Sequence, residues 1–577
     1  MLEQQIKDTY GKESVAVKSK TTQDTLIQAI RMATNKIEKR GGIIGFILNG
    51  NFLNASSADG FRLCIEREFS EIYILNLRGN ARTQGEERRK EGDGIFDSGS
   101  RATVAVCFFV KNPPPSEINN SEINDGHKTA QKPNRAKIHY YAVEDYLSRE
   151  AKLNILESFR TLAEIPFKNI IPNSKGDWIK QRNSDFETLI PFKKAKDAPR
   201  QENPLFMVNS MGLLTGRDAW VYNFSKDILQ NSMATCIATY RADCAAFDLK
   251  AFEERTRGMP NANKYKALTD QEITTDKTKI SWTRSLKNKL IKQADIDDVD
   301  PQKIRTALYR PFVKTHVYWD KTWNESQYQL PKIFPEENSY NRAILISLME
   351  NRGVCVLMTD TLPDYQTLPN TQVFPLYHYN GEGGREDNIS EKGLRVFQNA
   401  LGAEGISKED IFYYSYALFH HKTYTETYAD DLAKEAPRLP ILRDFQAFAT
   451  LGRQLGDLHC RYEEQTPYAN NITIKEENYQ VDKIKRDGAK IIYNAFMTLE
   501  DIPPKAYDYT MNGKSAIDGF IERYQNTTDK DTLISNDPNA FRGGKYLFDT
   551  LCKLITVSLK SVDLIEKINA LPYDRVE

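Results

Sequence analysis

The feature that most constrains the fold is Ile43-Ile44-Gly45-Phe46-Ile47-Leu48, an apolar run without alternation. A strand with one wet face alternates apolar and polar residues, whereas a strand buried on both faces does not. The run is therefore expected inside a parallel sheet, with neighbours on both edges and helices on both sides. Before it, Asp24 to Arg40 reads as a helix, with Leu26, Ile30, Ala33 and Ile37 on one face and Gly41 as its stop. After it come Asn49-Gly50-Asn51 and a helix carrying Phe61, Cys64, Ile65 and Phe69. Further strands are expected at Ile72–Leu77, Thr103–Val110 and Lys137–Val143. This order is α/β layering. The residues ahead of the run offer one helix and no strand, so the sheet reads as incomplete, with its other half expected in another polypeptide segment. The alternative is a small α/β domain complete in itself.

Composition removes several function classes. Lys+Arg and Asp+Glu are equal, at 79 each, so bulk charge alone does not hold this chain to nucleic acid; a local basic face remains open. No stretch approaches the roughly 18 apolar residues of a membrane span. The start, MLEQQIKDTYGKES, lacks the apolar core of a signal peptide. The seven cysteines are scattered without a CxxC pair, as expected of reduced thiols in a cytoplasmic protein. His420 and His421 are adjacent and point about 100° apart on a helix, so no metal site is expected.

Ligands of open α/β sheets bind beyond the C-terminal ends of strands. Asn49, Gly50 and Asn51 sit at one such end and Asn76 to Asn80 at another. Both are candidates to face a pocket, the alternative being ordinary turns. The segment from Arg78 to Arg101 mixes glycines with Arg78, Arg82, Arg88, Arg89, Lys90 and Arg101. Arginine suits phosphate contacts, although interleaved acids also fit a solvated loop. Phe96 stands out there as a large aromatic in a Gly/Asp/Ser setting, either a core staple or a surface on which a base stacks. No Gly-rich cofactor turn precedes the first strand. Gly381-Glu382-Gly383-Gly384 reads as a surface loop, and Lys111 to Pro133 as a solvent loop in which Asn112-Pro113-Pro114-Pro115 lacks the aromatic of an amine-binding motif.

The segments GGIIGFILNGNFLNASSADGFRLCIEREFSEIYILNLRGNART and GIFDSGSRATVAVCFFVKN closely resemble part of the methyltransferase domain of Type ISP restriction–modification enzymes. YLSREAKLNIL, GDWIKQRN, TGRDAWVYNFS, LYRPFVKTHVYWD, TQVFPLYHY, DIFYYSYALFHHKTYTETYADDLAKEAPRLPI and YDYTMNGKSAIDGFIERYQ agree in order. DIFYYSYALFH also resembles Type IIG specificity regions. The resemblance covers nearly the whole chain and implies an adenine-N6 DNA methyltransferase whose cofactor loop and Asn-Pro-Pro-Tyr motif lie upstream of Met1. It implies no catalytic residue in this chain. It puts Asn49, Gly50 and Asn51 beside the active site and Phe96 against a flipped-out target adenine. S-adenosylmethionine is implied for the complete enzyme, with none expected to bind this chain alone. The implied partners are double-stranded DNA and an N-terminal half carrying nuclease, translocase and cofactor-binding parts. A non-catalytic DNA-binding specificity subunit or gene remnant is the alternative.

The expected fold is thus α/β, the C-terminal half of a Rossmann-like methyltransferase sheet, followed by an α+β target-recognition domain with a helical scaffold. The expected division is 1–165 for the partial methyltransferase, 166–305 for a partly helical basic connector, and 306–577 for target recognition. Basic clusters fall at Arg255, Arg257, Lys264 and Lys266, and at Arg284, Lys287, Lys289 and Lys292. Arg217, Arg284, Lys287, Arg310 and Lys314 join Arg78, Arg82, Arg88, Arg89 and Arg101 as DNA-contact candidates. A helix over IFYYSYALFHH capped by Ser407, and the stripe Phe445, Phe448, Leu451, Leu455, Leu458 and Tyr462, read as packing.

Overall fold

The structure, a computed structural model, describes residues 2–14, 24–83, 85–96, 100–113, 135–194, 203–349, 353–468 and 471–576. Most of the loop read over 111–133 lies outside them. The chain forms two compact units. The first holds Met1–Phe186 with Tyr428–Glu435, and the second holds Glu187–Met349, Gly353–Thr427 and Ala436–Glu577.

The first unit is built on a five-stranded sheet. Its strands are β1 (Gly42–Asn49), β2 (Glu71–Asn76), β3 (Val104–Lys111), β4 (Lys137–Ala142) and β5 (Lys168–Ile170), in spatial order β1-β3-β2-β4-β5. Helices α1 (Leu2–Ile6), α2 (Thr25–Ile37), α3 (Asp59–Glu68), α4 (Gly85–Glu91) and α5 (Arg149–Ser158) complete it. Asp24 caps α2 by accepting the Leu26 amide, and the helix buries Ile27 and Ile30 in the same core as Ile44 and Leu48.

The parallel-sheet expectation is corrected here. Only β2 and β4 run parallel; β1 pairs antiparallel with β3, from Gly42 opposite Lys111 to Asn49 opposite Val104. β1 is an edge strand with one neighbour among the described residues, not an interior strand. One face is buried through Ile44 and Leu48, while Ile43 and Ile47 on the other are 69% and 65% exposed. The apolar run identified the strand correctly. Periodicity carries no information on which polypeptide covers each face, and within this chain the Ile43 and Ile47 face is open.

A loop and a late helix are tied into this unit by a buried ionic cluster. Asp177, fully buried, lies 2.7 Å from Arg182, 3.3 Å from Lys434 and 3.7 Å from Arg62. Arg62 also donates to the carbonyls of Gly176, Phe52 and Ala55. Lys434 belongs to the short helix Ala429–Lys434, which is how a segment from late in the chain joins the first unit. Burial alone would raise the Asp177 carboxyl, but hydrogen bonds from Arg182 and Asn173 and the Lys434 charge outweigh it and hold it at about 2.

The second unit contains three four-stranded sheets. Ile304–Arg310 and Val313–Tyr318 centre one, Ala343–Met349 and Gly353–Thr359 lie in another, and Lys490–Ile492 and Met497–Glu500 lie in the third. Long helices Lys226–Ala246, Phe445–Cys460 and Gly544–Asn569 pack with them. Ser407 forms a capping box with Asp410, and every residue from Ile411 to Leu418 is buried, so this aromatic helix is core. Leu229, Met233, Leu286 and Leu290 share one apolar core with Ile304, Val313 and Val317, so the connector and the strands after residue 304 fold together. Mixed α/β structure with several small sheets is the resulting architecture.

Candidate functional site

The C-terminal ends of β1 and β2 open onto one cavity in the first unit, about 330 Å³ in volume. Gly50, Asn51, Asn54, Asn76, Asn80 and Thr103 line it, with Arg78, Arg82, Glu87, Glu91, Tyr140 and Lys180. Gly50 and Asn51, singled out by their place at a strand end, are thus brought together with the Asn76–Asn80 segment. Asn49 stands beside them, its side chain accepting the Asn51 amide at 3.0 Å. The same i to i+2 turn recurs where Asn76 accepts from Arg78 and Asn80 from Arg82. The Tyr140 hydroxyl accepts the Asn76 side-chain amide at 2.9 Å, and Thr103 donates to the Asn76 side-chain oxygen at 3.2 Å. Thr103, Tyr140 and Lys180 were not foreseen as site residues. They come from distant segments, and only folding brings them in.

The loop beyond β2 is closely packed. Gly79 has φ +89°, and a side chain there would meet the Gly94 backbone at 3.0 Å. Gly92 has φ +63°, and a Cβ would lie 2.2 Å from the Leu147 carbonyl. Only glycine fits either position. Phe96 follows this turn and is 53% exposed; it does not line the cavity. Its neighbour Ile95 is buried with Leu77, Val104 and Val143.

The first unit's candidate arginines differ in their freedom. Arg78 donates to the Val143 carbonyl at 2.8 Å and pairs with Asp145 at 2.8 Å. Arg88 donates to the Gly92 carbonyl at 2.6 Å, Arg89 pairs with Glu86, and Arg101 donates to the Ala81 carbonyl at 3.2 Å. Arg82 is exposed at the cavity and makes no ion pair with a described residue.

In the second unit, Arg217 is 4% exposed. It donates to Thr283 at 2.7 Å and lies 5.4 Å from the Trp323 ring centre. Burial lowers its pKa, partly opposed by Cys236 and Glu325. Arg217 is therefore a core cation; the polar motif TGRDAW, which offered it as an interdomain or DNA contact, marked the residue but not the direction of its side chain. Arg310 pairs with Asp364 at 2.9 Å and Lys314 with Glu463 at 2.9 Å, both mostly buried. Arg284 is exposed, 5.6 Å from the Tyr265 ring centre, and Lys287 is half-buried on the same helix. Neither makes an ion pair with a described residue. Among the described residues, no group of His, Cys, Asp or Glu is arranged to hold a metal, and no helix is long and apolar enough to cross a membrane.

Residues 204–550, more than half of the chain, match the family described as the Type ISP C-terminal specificity domain. The chain belongs to this family. Two solved Type ISP structures agree with that assignment, and a further DNA complex is similar. A nuclease-deletion mutant of the Type ISP restriction-modification enzyme LlaGI, in complex with a DNA substrate mimic, is 33% identical over 100% of this chain and 50% of that chain, with a TM-score of 0.82. The ATP-dependent Type ISP enzyme LlaBIII bound to DNA is 32% identical over 100% of this chain and 36% of that chain, with a TM-score of 0.83. The DrdV–DNA complex is 30% identical over 99% of this chain and 54% of that chain, with a TM-score of 0.80. The Type ISP chain described here thus spans between about a third and about half of these longer proteins. No curated protein matched significantly.

Proposed function

We propose that the second unit reads a DNA sequence and that the first is the C-terminal half of an adenine-N6 DNA methyltransferase, within a Type ISP-like restriction–modification enzyme. The observation that carries this is the first unit's sheet. Its border strand β1 presents exposed Ile43 and Ile47 and an edge unpaired among the described residues, while the end of the same strand opens into an amide-rich cavity. An exposed strand edge with an apolar face invites a further strand. A separately encoded or upstream N-terminal half supplies it in this reading. The similar structures hold a DNA substrate mimic with LlaGI and DNA with LlaBIII and DrdV, which supports DNA as the partner, taken here as double-stranded.

An enzyme that acts on an adenine amino group takes the base out of the stack. Phe96 offers its exposed ring to that base, and Arg82 its guanidinium to a phosphate. Asn51, Asn54 and Asn80 present amides at the cavity, the group that pairs with an adenine edge. In the second unit, Arg284 and Lys287 are the phosphate contacts. S-adenosylmethionine would be the methyl donor of the complete enzyme. The residues present do not fit it: β1 reaches α3 through two 3-10 turns, Gly50–Leu53 and Ser56–Ala58, rather than through a Gly-rich loop, and the cavity walls are mainly amides and charges. We assign the donor to the N-terminal half.

The test is methyl transfer in the reconstituted enzyme. Phe96→Ala is expected to lower transfer by about 10-fold or more, as loss of a base-stacking ring does, with DNA affinity within about two-fold. Equal loss of both, or no loss of transfer, overturns the stacking role.

A further inference from the structure

Lys152 lies on α5, in the YLSREAKLNIL segment, and is fully buried. Its ammonium donates to the Glu91 carbonyl at 2.8 Å and the Asp93 carbonyl at 2.7 Å. Those two carbonyls flank Gly92, whose left-handed backbone packs against Leu147 with no room for a side chain. The Asp93 amide donates to the Leu147 carbonyl at 3.0 Å, and the Gly79 amide to the Glu91 carbonyl at 3.1 Å. Glu91 also accepts the Asn80 amide through its side chain at 2.9 Å. One ammonium therefore sits where α5, the loop after β2 and the turn leading to Phe96 meet. Ile95, buried beside Leu77 and Val104, anchors the same turn from its far side.

Burial pushes the Lys152 ammonium down to about 8; the Glu91 and Asp93 charges oppose this, while Arg78 and Arg88 add to it. An amine held charged against its burial gains most from the two carbonyls it binds, because a buried carbonyl without a donor is costly. We propose that Lys152 is the positioning residue for Phe96: by clasping the Glu91 and Asp93 carbonyls it fixes the turn that presents the ring to an extruded base. The functional half of this inference rests on the base-stacking reading above; the bracing half does not.

Two measurements separate them. In this chain alone, Lys152→Met is expected to speed hydrogen exchange across residues 85–96 by about 10-fold, the value of one charged hydrogen bond, leaving β2 and β3 unchanged. Lys152→Gln, which keeps an N–H donor group but loses the charge and part of the reach, is expected to fall between. In the reconstituted enzyme, Lys152→Met is expected to lower methyl transfer about as much as Phe96→Ala, and the double variant no further, because residues acting through one another are not additive. Unchanged exchange in both Lys152 variants overturns the bracing. Multiplying losses in the double variant overturn the action through Phe96. Faster exchange with full activity of Phe96→Ala leaves the bracing standing and sinks the stacking reading instead.

Discussion

At the scale of single residues, chemistry and burial separate cations that sequence alone groups together. Arg217 and Arg284 both read as basic residues in polar segments, yet one is enclosed against Trp323 and the other is exposed. Removing Arg284 or Lys287 is expected to weaken DNA binding uniformly across sequences and reduce the slope of log affinity against log salt by about 1 each, as loss of a phosphate contact does. Arg217→Met is expected to leave that slope unchanged; a binding titration at several salt concentrations distinguishes the two. Asp177 gives a pH signature of its own. A carboxyl held near 2, below its ordinary 3.8, contributes stability above about pH 4 and loses it as pH falls towards 2. Asp177→Asn strands Arg62 and Lys434 and is expected to cost about 3 kcal/mol or more at pH 7, read as a lower melting temperature of the first unit. Its melting is also expected to lack the wild-type loss between pH 4 and pH 2. Nothing in the sequence joined these residues into a cluster, because Asp177, Arg62 and Lys434 are far apart in the chain and meet only after folding.

Secondary-structure elements were legible where local chemistry decides them. Asp24 before α2, Ser407 before its helix and the apolar runs of β1 to β4 were readable because caps and side-chain periodicity act within a few residues. Strand order was not. β3 inserts between β1 and β2, and nothing in the residues of a strand states its direction or its neighbour. Part of the cavity lining was readable for the same reason: Gly50, Asn51, Asn76 and Asn80 lie at strand ends, whereas Thr103, Tyr140 and Lys180 reach the cavity through the register of other strands and a later loop. The exposed face of β1 leads to a prediction at this scale. Substituting Ile43→Lys and Ile47→Lys together is expected to change the melting temperature of this chain little, because both side chains already face solvent. Association with an N-terminal half is expected to fall by about 10-fold or more, through burial of two charges in place of apolar groups. Unchanged association in a size-exclusion or calorimetric titration removes this face from the interface.

For the whole molecule, the two-unit division changes how the chain is read. The helices between residues 226 and 291 share a core with the strands after residue 304, so they and those strands form one folded body. That body contains nearly all of the matched Type ISP specificity segment, 204–550, except the short helix that joins the first unit. Composition had already narrowed the possibilities, since balanced charge excludes attachment to nucleic acid by bulk charge alone. In the function proposed above, the first unit is half of a methyltransferase, completed at β1 by another segment. The most direct measurement is transfer of a tritiated methyl group from S-adenosylmethionine to DNA, by this chain alone and after mixing with an N-terminal half. The expected result is neither cofactor retention nor transfer by the chain alone, and both on mixing. Cofactor binding and methyl transfer by the unmixed chain, or a mixture that forms a complex without transfer, would contradict it.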